Sequence, residues 1–150
     1  MREIKSLDEL KSLIGQEVAI SDWLSMPQER INQFADATND HQWIHLDAER
    51  AKQESPFRNT IAHGFLTLSL LTAVMQNAIH LSYAKMALNY GLNKVRFPAP
   101  VPVNSRLRGR IKLQQIDDIK DGAQMIWEIT LEREGSSKPV CVAEWIVRCY

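Results

Sequence analysis

From Asn59 to Ala84 the chain carries no Asp, Glu, Lys or Arg. The strongly apolar part of this run, Gly64 to Met75, is shorter than the roughly 20 residues a bilayer demands. His63, Gln76, Asn77 and His80 also interrupt the run. The segment therefore reads as a helix buried inside a folded protein. Placed about 100° apart along a helix from Ile61 to Asn77, the residues Phe65, Leu66, Leu68, Leu70, Leu71, Val74 and Met75 cover most of its circumference. A helix apolar nearly all round is a central one. In a chain of 150 residues something must wrap it.

The second half of the sequence supplies the wrapper. From Val103 to Gln115 the odd positions run Val103, Ser105, Leu107, Gly109, Ile111, Leu113, and the even ones Asn104, Arg106, Arg108, Arg110, Lys112, Gln114. Strict alternation of this kind marks a strand with one buried and one wet face. After a turn at Asp121-Gly122, Met125, Trp127, Ile129 and Leu131 alternate with Gln124, Glu128, Thr130 and Glu132. A second turn at Gly135-Ser136-Ser137 leads to a last strand, Val140 to Tyr150, mostly apolar on both faces. Leu88 to Phe97 predicts an earlier strand, closed by Pro98, Pro100 and Pro102.

The first half is mixed. Ser6, with Glu9 three places on, predicts a short helix over 6–14 that Gly15 ends. Gln16 to Trp23 predicts a strand. Ser25 then caps a second helix with Pro27 in its first turn, Ile31, Phe34 and Ala35 on one face and an end at Thr38-Asn39. Asp47 caps a third helix that runs through Lys52 and breaks at Ser55-Pro56. The predicted architecture is α+β: a long buried central helix wrapped by a curved, largely antiparallel five-stranded sheet, the hot-dog arrangement, as a single domain over residues 1–150.

Composition narrows the function. Eighteen basic and eighteen acidic side chains cancel, which argues against nucleic acid as a partner bound through a bulk positive field. The N-terminus mixes charge signs and has no apolar core of a secretory leader, so a cytoplasmic protein without a membrane partner is expected. Cys141 and Cys149 lie in one predicted strand, about 26 Å apart, beyond disulfide reach, and are expected as reduced structural thiols. The stripe Arg106, Arg108, Arg110, Lys112 could grip phosphate, but Glu128 and Glu132 on the next strand make a solvated ion-paired face the plainer account.

The chemistry-bearing residues lie between Asn39 and Gly64. Asp40 and His45 fall five apart across a short irregular stretch after a helix. A tight turn there brings a carboxylate and an imidazole onto one water, a pair able to add or remove protons near neutral pH. A helix-terminal cap beside a surface His is the alternative account of the same spacing. His41 and His45, with His63 or Asp47, form a possible metal set, but Gln42 stands where zinc peptidases carry their Glu. Further on, His63 and Gly64 open the apolar helix. Gly64 N–H at a helix N-terminus is a seat for a developing oxyanion, and a packing glycine is the alternative.

Three stretches together resemble one family: Phe34 through Asp47, Ile61 through Thr67, and Asn89 through Val101. They are similar to the MaoC-like dehydratases, the single-hot-dog (R)-specific enoyl-CoA hydratases, in the branch that includes nodulation protein N-like sequences. The family motif runs Asp-x-Asn-Pro-x-His. Asp40 and His45 match its catalytic positions, while Gln42 and Trp43 stand where Asn and Pro are usual, and Asn39 replaces a common Gly.

The resemblance implies reversible hydration of a trans-2-enoyl-CoA to an (R)-3-hydroxyacyl-CoA. One water is held by Asp40 and His45, and Gly64 N–H meets the charge on the thioester oxygen. It implies an acyl-CoA thioester as substrate, no metal or redox cofactor, and a homodimer that joins two sheets edge to edge. A hot-dog thioesterase and a non-catalytic acyl-thioester-binding protein are the alternatives.

Overall fold

A computed structural model describes residues 1–150. The elements in chain order are β1 (Arg2–Ile4), α1 (Leu7–Lys11), β2 (Glu17–Ile20), β3 (Leu24–Met26), α2 (Gln28–Thr38), α3 (Trp43–Leu46), α4 (Ala48–Glu54), α5 (Gly64–Ser69), α6 (Leu71–Ala78), β4 (Ile79–Leu81), β5 (Ala87–Arg96), β6 (Ser105–Ile119), β7 (Gly122–Arg133) and β8 (Cys141–Cys149). The main sheet runs β2-β6-β7-β8-β5, antiparallel at every step. It is five strands wide, as the alternation predicts, with β3 as a sixth strand that pairs β6 beyond the end of β2. β1 and β4 form a small parallel pair. Three-residue strands are too short to show a period, so the sequence gives no sign of that pair.

The period-2 pattern is realised on β6 and β7. Leu107, Gly109, Ile111 and Leu113 face the core with Met125, Trp127, Ile129 and Leu131. The basic stripe lies on the outer face. Arg108 Nε donates to Glu132 at 2.9 Å, Arg106 pairs with Glu134 at 2.9 Å, and Arg110 reaches Glu17 at 2.7 Å. Lys112 sits opposite Glu128 in the register. The stripe is a neutralised, half-exposed face, and pairs of this sort contribute at most about 1 kcal/mol each. The turn before β7 is Lys120-Asp121, one residue earlier than expected, and Asp121 takes the left-handed backbone at φ 61°.

Two helical expectations are corrected. Ser25 is not a cap: it lies in β3, and α2 begins after Pro27, which offers no side-chain acceptor. The apolar segment is not one helix from Ile61 to Asn77. It divides at Leu70, whose N–H bonds Thr67 three residues back, leaving α5 and α6. Nor is it enclosed all round in a single chain. Leu66, Thr67, Leu71, Val74 and Ala78 are buried on the sheet side, while Phe65 is 73% exposed. The sheet covers one side of a helix only, so the remaining apolar side is left facing a groove toward β5.

The ends of the other helices are as the side chains dictate. Ser6 Oγ accepts from Glu9 N–H at 3.1 Å, and Asp47 Oδ1 accepts from Arg50 N–H at 2.9 Å. Asn39 terminates α2 with φ 58°.

β8 is interior to the sheet, between β7 and β5. Its buried face is Cys141, Ala143, Trp145, Val147 and Cys149, and its other face alternates Val142 and Ile146 with Glu144 and Arg148. It is therefore less apolar on its second face than expected. A group of exposed apolar side chains lies instead on the edge strand β5 and its flanks: Met86, Leu88, Tyr90, Leu92 and Phe97. Both cysteines are unpaired and buried, and burial pushes the Cys141 thiol up to about 11.

The helix meets the sheet most closely at Gly109, where an added Cβ collides with the Val74 side chain. Gly109→Ala is expected to destabilise the fold by about 1–3 kcal/mol through overpacking. Denaturant unfolding checks this, and a midpoint equal to that of the native chain contradicts it.

Candidate active site

The site is assembled from two loops and the start of a helix. Chain reversal at Asn39 releases α2, and Asp40 follows on the surface with Oδ1 facing Gln42 N–H at 3.4 Å. The single turn α3 then carries His45 inward, where it is 6% exposed. Its Nδ1–H donates to the Ile61 carbonyl at 2.7 Å. A carbonyl can only accept, so this bond fixes the tautomer and leaves the Nε2 lone pair free. Gln28 ties the same region together. Its Nε2 donates to the His45 carbonyl at 2.8 Å, and its Oε1 accepts from Thr60 Oγ1 at 2.6 Å.

Residues 60–63 form a strap. Ile61 N–H donates to the Ile44 carbonyl at 3.1 Å, Ala62 N–H to Val101 at 2.8 Å, and Val103 N–H to Thr60 at 2.9 Å. His63 is the N-cap of α5 and Gly64 its first residue. The N–H groups of a first helical turn have no intrahelical partner, so Gly64 N–H is available to an acceptor. The Phe97 ring lies against Gly64, and a Cβ there would stand 3.2 Å from it. Glycine keeps that approach open, so packing and oxyanion access are served by the same absence of a side chain.

Asp40, His45 and His63 bring potential ligand atoms within 4.8 Å of one another. The possible metal set, His41 and His45 with His63 or Asp47, does not form as a unit. His41 Nε2 turns outward to Asp36 at 2.9 Å, and Asp47 is occupied capping α4. The rings of His45 and His63 stack with centroids 3.8 Å apart and planes 24° from parallel. Lone pairs lie in the ring planes, so stacked rings send them side by side rather than onto one ion. A carboxylate beside an imidazole with a free Nε2 has the chemistry to act as an acid–base pair.

His63 was legible only as a possible ligand, and its ring proves central to the cluster. Gln28, Thr60 and the Ile61 carbonyl carry no sequence signal, because their roles depend on contacts between segments far apart in the chain.

Burial is the largest influence on His45 and lowers its pKa from the ordinary imidazole value, and His63 acts in the same direction. The bond to Ile61 and the charge of Asp40 oppose them. The neutral, proton-accepting form of His45 is thus favoured in the fold.

A curved antiparallel sheet around a helix, with a carboxylate and an imidazole beside the helix N-terminus, defines a hot-dog protein. A model of the MaoC like domain matches residues 9–134, and the chain belongs to that family. It is 52% identical over 149 residues to 3-hydroxyacyl-thioester dehydratase Z of Mycobacterium tuberculosis, covering 99% of this chain and 98% of that protein. It is 48% identical over 145 residues to nodulation protein N of Rhizobium leguminosarum bv. viciae, covering 94% and 89%. Among solved structures, the (R)-hydratase from A. caviae matches with a TM-score of 0.70 at 21% identity, over 89% of this chain and 96% of that one. That match shows the hot-dog fold. No helix is long and apolar enough to cross a membrane.

A lowered folded pKa means that the unfolded chain binds more protons just below its own value of 6.5. Stability contributed by neutral His45 is present above 6.5 and is lost as pH falls toward the folded pKa. An NMR titration is expected to place His45 below 6.5, and His45→Gln to lose less stability than the native chain on acidification. A midpoint above 6.5 contradicts this.

Proposed function

We propose that the protein is an (R)-specific enoyl-CoA hydratase, catalysing reversible addition of water to a trans-2-enoyl-CoA. The observation that carries this is the juxtaposition of the free Nε2 of His45, the Asp40 carboxylate and the N-terminus of α5. Family membership and the 52% identity to a 3-hydroxyacyl-thioester dehydratase support the reaction class.

The chemistry follows from the geometry. The substrate thioester oxygen is seated at Gly64 N–H, in the positive field of the helix N-terminus. A water between Asp40 and His45 is held by hydrogen bonds, one hydrogen directed at the carboxylate and the other at Nε2. As its oxygen bonds to Cβ, the C=C electron pair moves toward the thioester and negative charge grows on the oxygen facing Gly64. Nε2 of His45 takes one of the water's protons as the O–Cβ bond forms and passes that proton to Cα on the same face. The other hydrogen stays on the new hydroxyl, so H and OH enter together and the pair returns to its starting state. Dehydration is the reverse path.

A homodimer belongs to the same proposal. β5 is an edge strand with Leu88, Tyr90 and Leu92 exposed, and Phe65 on the uncovered side of α5 extends the apolar surface. Pairing of β5 with its copy removes an unpaired edge and covers these side chains.

Loss of enoyl absorbance with crotonyl-CoA, followed by chiral analysis of the product, tests the reaction: an (R) product is expected. An (S) product, or thiol release by hydrolysis, overturns the assignment. Asp40→Asn and His45→Gln should each lower kcat by roughly 10²–10⁴, the range for a positioned acid–base group. The double variant should be little worse than the poorer single, because groups sharing one water act as a unit. Multiplying losses contradict the shared water. Light scattering is expected to give twice the chain mass at micromolar concentration, and a stable monomer contradicts the dimer.

A further inference from the structure

We propose that His63 is a positioning residue for the hydration reaction, holding the Asp40 loop and the His45 ring in fixed relation to Gly64 N–H. The proposal rests on the hydratase assignment and extends it to a side chain given no role above.

Four observations meet at this residue. His63 is 2% exposed and occupies the N-cap of α5, yet its side chain makes no capping bond. N-caps favour Ser, Thr, Asp and Asn, whose oxygens accept from the helix. A buried imidazole there is not explained by helix formation. Its Nε2–H instead donates to the backbone carbonyl of Asp40 at 3.0 Å, across 23 residues of sequence. Its ring stacks on His45 at 3.8 Å on one side, while Phe34 lies 5.0 Å away, tilted by 52°. Its Nδ1 is buried without any partner.

The orphaned Nδ1 is a standing cost, since buried polar atoms are almost always bonded. Phe at this position would fill the ring space without that cost. What Phe cannot supply is the Nε2–H to Asp40. Asp40 is exposed, and its carboxylate meets Gln42 N–H only at a long 3.4 Å. The bond from His63 therefore anchors the exposed half of the acid–base pair to the residue that precedes the oxyanion donor. The stacked ring sets the plane of the buried half, so that Nε2 of His45 faces the Asp40 side. Asp40, His45 and Gly64 all reference their positions to His63.

Two substitutions separate the parts of this role. His63→Phe keeps an aromatic ring against His45 and loses the donor. His63→Gln keeps a donor at the Nε2 position and loses the ring. With crotonyl-CoA, His63→Phe should lower kcat about 10- to 100-fold, the scale of a misplacement near 1 Å, with KM close to native. His63→Gln should recover part of that loss, the remainder reflecting the missing ring against His45. A purely structural His63 would predict the opposite order, the packed Phe being the milder change.

A native kcat in His63→Phe, or a His63→Gln no faster than His63→Phe, overturns the proposal. NMR of the ring nitrogens in the native chain gives an arm that needs no variant to fold: His63 is expected as the Nε2–H tautomer, and an Nδ1–H tautomer overturns the proposal. A native chain that hydrates no enoyl-thioester overturns the hydratase assignment itself. Turnover by the native chain beside an equally fast His63→Phe overturns only the role given to His63.

Discussion

The hydrogen-bonded strap of residues 60–63 is the constraint to which the rest of the site is referred. Its backbone is bound to Val101 and Val103 on one side and to Ile44 on the other. That double attachment gives the strap the rigidity of sheet without making it a strand. Because it is fixed, the Ile61 carbonyl can hold His45 in one tautomer and α5 can begin at one place. A site built on free loops would have to be ordered at each encounter with substrate, at an entropic cost per residue that a prepaid scaffold avoids.

His45 shows how the fold balances opposing influences on one group. Burial removes water from the ring and disfavours its charged form, while the nearby carboxylate favours it. The result is an imidazole whose neutral form is favoured while a negative charge stands beside it, which is what the proposed hydration asks of a base. Neither influence alone suits a reaction that runs both ways. Exposure of Asp40 matters here, since a hydrated carboxylate tolerates its charge at little cost and leaves a path for water to the site.

The incomplete wrapping of α5 and α6 has the same origin as the exposed edge of β5. One five-strand-wide sheet curves around one side of a helix, and its last strand stands away from the helix rather than on it. Thr72, Asn89 and Trp145 mark where the helix, β5 and β8 approach one another along an apolar groove. Phe65, Leu88, Tyr90 and Leu92 are what remain uncovered. The apolar excess of the Asn59–Ala84 run is thus larger than one chain's sheet can bury.

By itself the sequence determined those features that depend on neighbours in the chain. The alternation in β6 and β7 declared both the buried face and the ion-paired face, because successive strand side chains point to opposite sides. Asp47 as a cap, Asn39 as a helix end and the unpaired state of the two cysteines follow from local geometry in the same way. The order and spacing of Asp40, His45 and Gly64 were equally readable. Tertiary structure decided the rest. The break at Leu70, the outward turn of His41 and the strand that replaced a helix cap at Ser25 each reflect which surface lay opposite, and periodicity does not record that. The roles of Gln28, Ile61 and His63 depend on bonds between segments 16 to 32 residues apart. A hydrogen bond across such a distance is set by packing of whole elements, and no local pattern of residues encodes it.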